Sequence, residues 1–192
     1  MNQQEIKKAI TVLTCGGTIA YPTDTLFGLG ADATNPIAVK KIYLLKQRPF
    51  DKPLSIALSS LEMATQYLKI SPENQKILEK FLPGPYTFIL PKKSTISDIV
   101  TAGGDTIGFR IPAHQNTLDL ISQFGRPIIT TSINQTGEPE LIDIKNLTIP
   151  VDYIMPGHCL HNSPSTVVNL VTKTILRRGV DANKIDRYLA GR

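Results

Sequence analysis

The chain of 192 residues carries almost none of the signatures by which catalytic sites are usually read. It has no G-x-x-x-x-G-K-[ST] phosphate loop. Gly28-Leu29-Gly30 is a G-x-G without the third glycine of a dinucleotide fingerprint. No G-x-S-x-G nucleophile elbow is present, which removes the usual serine hydrolase. No apolar run approaches the roughly 20 residues of a membrane-spanning helix. Glu5, Lys7 and Lys8 interrupt the N-terminus where a signal peptide needs a continuous apolar stretch. A cytoplasmic protein without membrane contact is therefore expected, with its two cysteines, Cys15 and Cys159, reduced. Internal repeats and low-complexity linkers are also missing, which predicts one domain over residues 1–192. His158, Cys159 and His161 lie close together, but the remaining ligands of a zinc site would have to come from elsewhere and the spacing matches no standard finger. A polar loop is the better reading, and no protein-held metal is expected.

What is present is an ordinary globular composition, 41% apolar and 19% charged, with a net charge of +5. That excess permits an anionic partner, a nucleotide or RNA, and equally a generic basic surface. Fourteen prolines and thirteen glycines spread along the chain predict many short elements joined by tight turns. Helical spacing covers residues 3–14 and stops at Gly16-Gly17. A strand is expected over 18–21, and Asn35-Pro36 starts a helix that Pro49 ends. Further strands are expected over 54–58, 86–90, 106–111, 127–132 and 152–155, with a hairpin over 165–171 and 174–177 turning at Thr172-Lys173. Ser59 and Glu62 suggest a capping box for a helix through Leu68. Ser71-Pro72 opens the next helix, ending near Pro83, and Gly125 closes one over 116–124. Loop with a short helix is expected over 138–150, and a terminal helix over 181–189. Helices and strands interleave without a strict βαβ rhythm, so the predicted fold is α/β with a twisted, mixed sheet.

The stretch 21–52 stands out. It reads as two turn-rich segments flanking one helix, the first with hydroxyls, an acid and glycines, the second with Lys46, Arg48 and Lys52. One cation after a helix is explained by the helix C-terminus. Three, separated by prolines, would point the same way in an extended segment and suit a triphosphate, Arg as a fork and Lys as a point charge; a solvated loop is the alternative. Ser132 and Asn134, two apart at the end of an apolar strand, share a face and offer neutral donors and acceptors, unless they serve only the turn 134–137. Arg110 sits in an otherwise apolar strand and needs an anionic partner, either a structural carboxylate or a substrate's. Ser163 to Thr166 and Arg177-Arg178-Gly179 place hydroxyls and arginines at hairpin ends. Asp24 reads as a turn carboxylate.

Seven segments occur in one order: Y-P-T-D-T-L-F-G-L-G-A-D-A, K-Q-R-P-F-D-K-P-L, L-P-G-P-Y-T, G-F-R-I-P, T-T-S-I-N-Q-T-G, P-S-T-V-V and L-R-R-G. Together they resemble the YrdC-like family, in the length of its short bacterial form, and they span about residues 21–179. The resemblance implies a twisted α/β sheet around a large, positively charged cavity. It implies synthesis of L-threonylcarbamoyl-AMP and pyrophosphate from L-threonine, bicarbonate or CO2, and ATP. Magnesium would come bound through the ATP phosphates. Partner proteins would then transfer the threonylcarbamoyl group to tRNA beside the anticodon. The resemblance leaves two alternatives open: a domain of the same shape that binds double-stranded RNA or tRNA without catalysis, and a carbamoyl-adenylate-forming module. Carried over, the pattern puts Lys46 and Arg48 at the reacting phosphates and Lys46, Arg48, Lys52, Ser132, Asn134 and Arg178 on ATP. Thr23, Thr25, Arg110, Thr130 and Ser165 would hold threonine. Ile133 replaces a usual small residue and would narrow the nucleotide wall, Ala57 replaces a polar side chain near threonine, and Glu140 replaces a small hydroxyl residue facing the nucleotide.

Overall fold

A computed structural model describes residues 3–141 and 143–191. Helix α1 (Gln3–Thr14) buries Ile6, Ala9 and Leu13 along one stripe. It leads into strand β1 (Thr18–Tyr21), which turns back as β2 (Gly28–Ala31). Helix α2 (Pro36–Leu45) starts where Asn35 accepts from the backbone N–H of Ile37 and Ala38, with proline in the first turn, where no N–H is missed. Strand β3 (Ser55–Ala57), helices α3 (Leu61–Thr65) and α4 (Pro72–Phe81), strand β4 (Tyr86–Pro91), the short α5 (Asp98–Thr101) and β5 (Thr106–Arg110) follow. Helix α6 (Gln115–Phe124) ends at Gly125, whose φ of 71° is the left-handed cap that glycine adopts without strain. Strands β6 (Ile128–Ser132), β7 (Tyr153–Ile154), β8 (Thr166–Asn169) and β9 (Thr174–Arg177) and helix α7 (Ala182–Leu189) complete the order. A 3-10 turn at Ile144–Asn146 is the short helix expected over 138–150; Ile142 in that span lies outside the described residues.

The strands join in the order β7-β1-β2-β6-β3-β5-β4-β8-β9. Pairs β1–β7, β3–β5 and β4–β8 are parallel and the others antiparallel, so the sheet is mixed, as the irregular rhythm predicted. Alternation sorts its two faces. Ile56, Phe88, Ile107, Phe109, Ile129 and Val168 are fully buried and form the core side. Their neighbours Ser55, Thr87, Gly108, Thr130 and Val167 stand on the other side and line a cavity. No helix of the described residues is long and apolar enough to cross a membrane.

Three local expectations change. β2 was hidden among turn residues because it holds two glycines, which are depleted in strands. It forms because the Tyr21 ring lies over it: a Cβ on Gly28 or Gly30 would come within 2.7 and 2.8 Å of that ring. Gly28-Leu29-Gly30 is thus a seat for Tyr21, not a phosphate turn. Gly30→Ala is expected to cost about 1–3 kcal/mol by overpacking, read as a lower urea midpoint; an unchanged midpoint would mean that the ring has room to move. The cap of α3 is Ser60, which accepts from Met63 N, while the Ser59 hydroxyl meets Met63 Sδ at 3.4 Å. α3 stops at Thr65 rather than Leu68 because Lys69 N bonds to Pro91 O and Lys93 N to Tyr67 O, tying the chain to the end of β4. Helix α5, unread in the sequence, is a single turn that closes on Ala102 in a left-handed conformation.

Candidate active site

The cavity measures about 490 Å³ and opens on the polar side of the sheet. Its floor is made of small and hydroxyl residues in lateral register. Ser55 is opposite Thr130 on β6 and opposite Gly108 on β5. The floor is flat at Gly108, where a Cβ would meet Ser55 Oγ at 2.5 Å. Nine of the eleven expected site residues line the cavity: Thr23, Thr25, Arg110, Thr130 and Ser165 together with Lys46, Arg48, Ser132 and Asn134.

At one end stands Arg110, 6% exposed, at the last position of β5. Its Nη1 donates to Thr25 Oγ1 at 2.8 Å and its Nη2 to Asp24 Oδ1. Asp24 is 1% exposed, so the turn carboxylate is a buried ion-pair partner, one of the two alternatives that the sequence left open. The turn carrying it is held by side-chain hydrogen bonds on both sides of Asp24. Thr23 Oγ1 donates to Leu26 O at 2.7 Å and accepts from Thr25 N at 3.0 Å. Its one proton is therefore committed, and the 3.0 Å contact between the two hydroxyls makes Thr25 the donor. Thr23 is saturated and acts through Thr25. Thr117 on α6 donates to Pro22 O at 2.5 Å and fixes the turn from behind. Behind it, His114 bonds Thr117 through Nδ1, and burial pushes its pKa down. Burial likewise pushes the Cys159 thiol up, away from the reactive thiolate. Among the described residues, no three His, Cys, Asp or Glu side chains converge as metal ligands would.

At the other end Lys46 caps α2. It is 3% exposed, and its Nζ donates to Ser132 O at 2.5 Å, to the Asn134 carbonyl and to Asn134 Oδ1 at 3.3 Å. Ser132 Oγ donates to Asn134 Oδ1 at 2.5 Å, and Thr136 N returns a bond to Lys46 O at 2.9 Å. Lys46 and the S-x-N turn are thus one clasp. Burial, then the like charge of Arg48, lowers the Lys46 pKa to about 8. Gln47 takes φ 49° and turns the chain so that Arg48 reaches the cavity. Arg48 Nε and Nη2 donate to Lys52 O and Pro53 O at 3.1 and 2.7 Å. Neither cation has a carboxylate partner among the described residues. Arg110, Ala57 and Ile128 are in one lateral row, and Ser132 is four residues beyond Ile128 along β6. At about 3.4 Å per residue, Ser132 stands about 14 Å beyond that row along β6.

Lys52 and Arg178 do not line the cavity. The segment 46–52 is a turn, not an extended strand, so Lys52 is exposed; its backbone N–H bonds to Pro49 O and its carbonyl accepts from Arg48 and Tyr43. Arg178 bonds to Asp186 and Asn183 at 2.9 and 2.7 Å on the outside of α7. Neighbouring residues of a strand face opposite ways, so only one of the arginine pair can turn inward. Arg177 does, giving three bonds to Ser165 O and Oγ, while Ser165 Oγ also meets Thr87 Oγ1 at 2.8 Å. The parity of β8 and β9, with Val167 opposite Arg177, was the missing signal. Ile133 points to the core at 2% exposure and leaves the nucleotide wall unchanged. Ala57 is buried in the Arg110 row without reaching the cavity, where Ser55 is the polar group; Glu140 lines the rim.

The family model Sua5_yciO_yrdC, described as "Telomere recombination", matches residues 11–179. A threonylcarbamoyl-AMP synthase of Hahella chejuensis is 37% identical over 180 residues, which cover 90% of this chain and 97% of that protein. The crystal structure of Pyrococcus abyssi Sua5 complexed with L-threonine superposes with a TM-score of 0.92 at 32% identity, covering all of this chain and 58% of that one. Escherichia coli YciO superposes with a TM-score of 0.83 at 26% identity, covering 93% of this chain and 91% of that one. The mixed α/β fold is therefore shared with these structures, and the chain belongs to the Sua5/YciO/YrdC family.

Proposed function

We propose that this protein makes L-threonylcarbamoyl-AMP and pyrophosphate from L-threonine, bicarbonate or CO2, and ATP. The observation that carries the reading is one cavity with two unlike ends. A paired guanidinium stands beside hydroxyls at one end, and two cations without carboxylates stand at the other. An amino acid suits the first and a triphosphate the second. The relatives named threonylcarbamoyl-AMP synthase, and the threonine held by P. abyssi Sua5, support the assignment.

Threonine would bind with its carboxylate toward Arg110 and its body over the floor of Thr25, Thr130 and Ser165. Its amine and CO2 give a carbamate. One carbamate oxygen forms a bond to the α-phosphorus, the bond from that phosphorus to the bridging oxygen breaks, and pyrophosphate leaves. The nucleophile belongs to the substrate, so no protein nucleophile is needed. Holding the carbamate in line and countering charge on the phosphates carry such a transfer. Arg48 has a free Nη1 edge among the described residues for those oxygens. Lys46 contributes its charge while holding Ser132 and Asn134 in place. Magnesium would enter on the phosphates of ATP, keeping several waters, and Glu140 is the one carboxylate that lines the cavity among the described residues. The adenylate would be consumed in the cytoplasm by proteins that modify tRNA, and contact of the basic surface with tRNA itself would be read as salt-sensitive binding.

Mass spectrometry of the product formed from threonine, bicarbonate and ATP tests this. A threonylcarbamoyl-AMP mass, with pyrophosphate release that needs all three substrates, is expected. Clean folded protein that releases none overturns the reading. The arginine pair provides a second check. Arg177→Ala is expected to lower kcat/KM for ATP about 10²-fold through loss of a cation that also fixes Ser165. Arg178→Ala is expected to stay within about twofold, as an exposed ion pair does. The reverse order would return Arg178 to the site.

A further inference from the structure

Two guanidiniums flank one pair of hydroxyls on the cavity face. On β4, Thr87 is opposite Val167 of β8, and Val167 is opposite Arg177 of β9. On the other side Phe88 is opposite Phe109 of β5, and one further step of that antiparallel register sets Thr87 beside Arg110. Arg110, Thr87, Val167 and Arg177 therefore stand in one lateral row, on strands about 4.8 Å apart. Among the described residues Arg177 gives all its hydrogen bonds to Ser165, to O and to Oγ. Burial lowers its pKa, Glu140 opposes that, and the like charge of Arg110 lowers it further, so the two guanidiniums act on one another. The proton count of the hydroxyl pair is fixed, because each carries one. Ser165 Oγ accepts from Arg177 Nη2 at 3.0 Å, and one proton is spent on the 2.8 Å bond between Ser165 and Thr87, whichever donates. Neither oxygen has another acceptor among the described residues. One proton is thus left for an acceptor in the cavity that both residues line.

Taken with the reaction proposed above, on which this rests, we infer that Thr87 and Ser165, backed by Arg177, form the subsite for the carbamate. Free threonine has no use for the spare donor: its carboxylate goes to Arg110, and its ammonium group seeks acceptors. The need arises when CO2 is taken up. The ammonium first loses a proton to water. The nitrogen lone pair then forms the N–C bond, one C–O π pair becomes an oxygen lone pair, and a second N–H proton leaves to water. The product, N-carboxythreonine, is a dianion with a carboxylate at one end and a carbamate at the other. Its first charge faces Arg110, and its second faces the hydroxyl pair and Arg177. Hydrogen bonds to such an oxygen are about twice as strong as neutral ones. One carbamate oxygen accepts the spare hydrogen bond, which leaves the other held for the α-phosphorus.

The probe is hydroxyethylsuccinate, the dicarboxylate in which a CH2 group replaces the carbamate nitrogen. It and threonine are titrated calorimetrically into the intact protein without ATP, with product formation measured alongside. The natural protein is expected to bind the dianion about tenfold tighter than threonine or better, the two excluding one another. A dianion that binds no tighter, or that threonine does not displace, overturns the inference without help from any variant. Either hydroxyl alone can still donate, so Thr87→Val should reduce the preference for the dianion by about threefold and Thr87→Val/Ser165→Ala should abolish it. Thr87→Ser keeps the hydroxyl and should keep the preference. A merely structural Thr87 gives the reverse order, because valine preserves the β-branched shape and serine does not. A double variant that still prefers the dianion removes the hydroxyl pair from the subsite. Failure of the natural protein to make product would strike the reaction, while the two titrations still decide the subsite.

Discussion

Arg110→Leu is expected to cost about 3–5 kcal/mol of stability, because it leaves Asp24, 1% exposed, as a buried charge without its counterion. Loss on that scale is a large part of a domain's margin, so the variant should show a much lower urea midpoint or partial unfolding at 37 °C. In the folded fraction, the threonine requirement should rise far more than that for ATP, since Arg110 holds Thr25 while Lys46 and Ser132 form a separate clasp. The double variant Asp24→Asn/Arg110→Leu separates the two effects. Removing both charges should return more than half of the lost stability, as the coupling in a mutant cycle, while threonine use stays lost. An Arg110→Leu protein as stable as its parent would remove the ion pair from the account. A double variant that regains threonine use would remove the arginine from the amino-acid site.

Lys46→Met is expected to lower kcat/KM for ATP by about 10³-fold, more than any other single change at this end. Two effects combine: a cation at the phosphates is lost, and the carbonyls of Ser132 and Asn134 lose the donor that holds their turn. Protonation gives a sharper test. Burial lowers the folded pKa of Lys46 to about 8 from its ordinary 10.5. A lowered lysine pKa means the unfolded chain holds the proton more tightly, so this group penalises folding most below about pH 8. The penalty is relieved as pH rises from about 8 through 10.5. Bound polyphosphate favours the charged form and reverses the shift. ATP affinity should therefore fall as pH rises above about 8, and binding near pH 9 should take up a proton, seen as a calorimetric enthalpy that depends on the buffer. Lys46→Met should bind without that uptake. Proton uptake that persists in the variant would place the titrating group elsewhere.

The difference between these two predictions mirrors what could be read without coordinates. From spacing, Arg110 was a lone arginine seeking an anion, with a structural and a substrate carboxylate equally open. Asp24 lies eighty-six residues away in sequence, and only the docking of the β1–β2 turn onto the end of β5 brings it to the guanidinium. Lys46 was legible as a cation before a proline-rich turn, but its attachment to Ser132 and Asn134 depends on β6 lying beside β2 and β3. Lys52 was misplaced because the sequence argument needed an extended segment, whereas the backbone bonds of Arg48 and Lys52 close a turn. Arg178 was chosen over Arg177 for want of a register.

What the sequence by itself determined is the set of elements that local chemistry dictates. The helix starts at Asn35-Pro36 and Ser71-Pro72, the stop at Gly125, and the apolar strands in β3 to β6 follow from capping, φ preferences and alternation within a few residues. The ordered motifs likewise announced the family and its cavity. Tertiary structure alone decided which charges are balanced and which face the cavity. It made a strand of Gly28–Ala31 by laying Tyr21 across its glycines. It turned Arg177 inward and Arg178 outward, and of the four cations that line the cavity it paired one, Arg110, with a buried carboxylate. Those are long-range outcomes of register and burial, whose energies exceed local propensity and leave no mark in any short window of the chain.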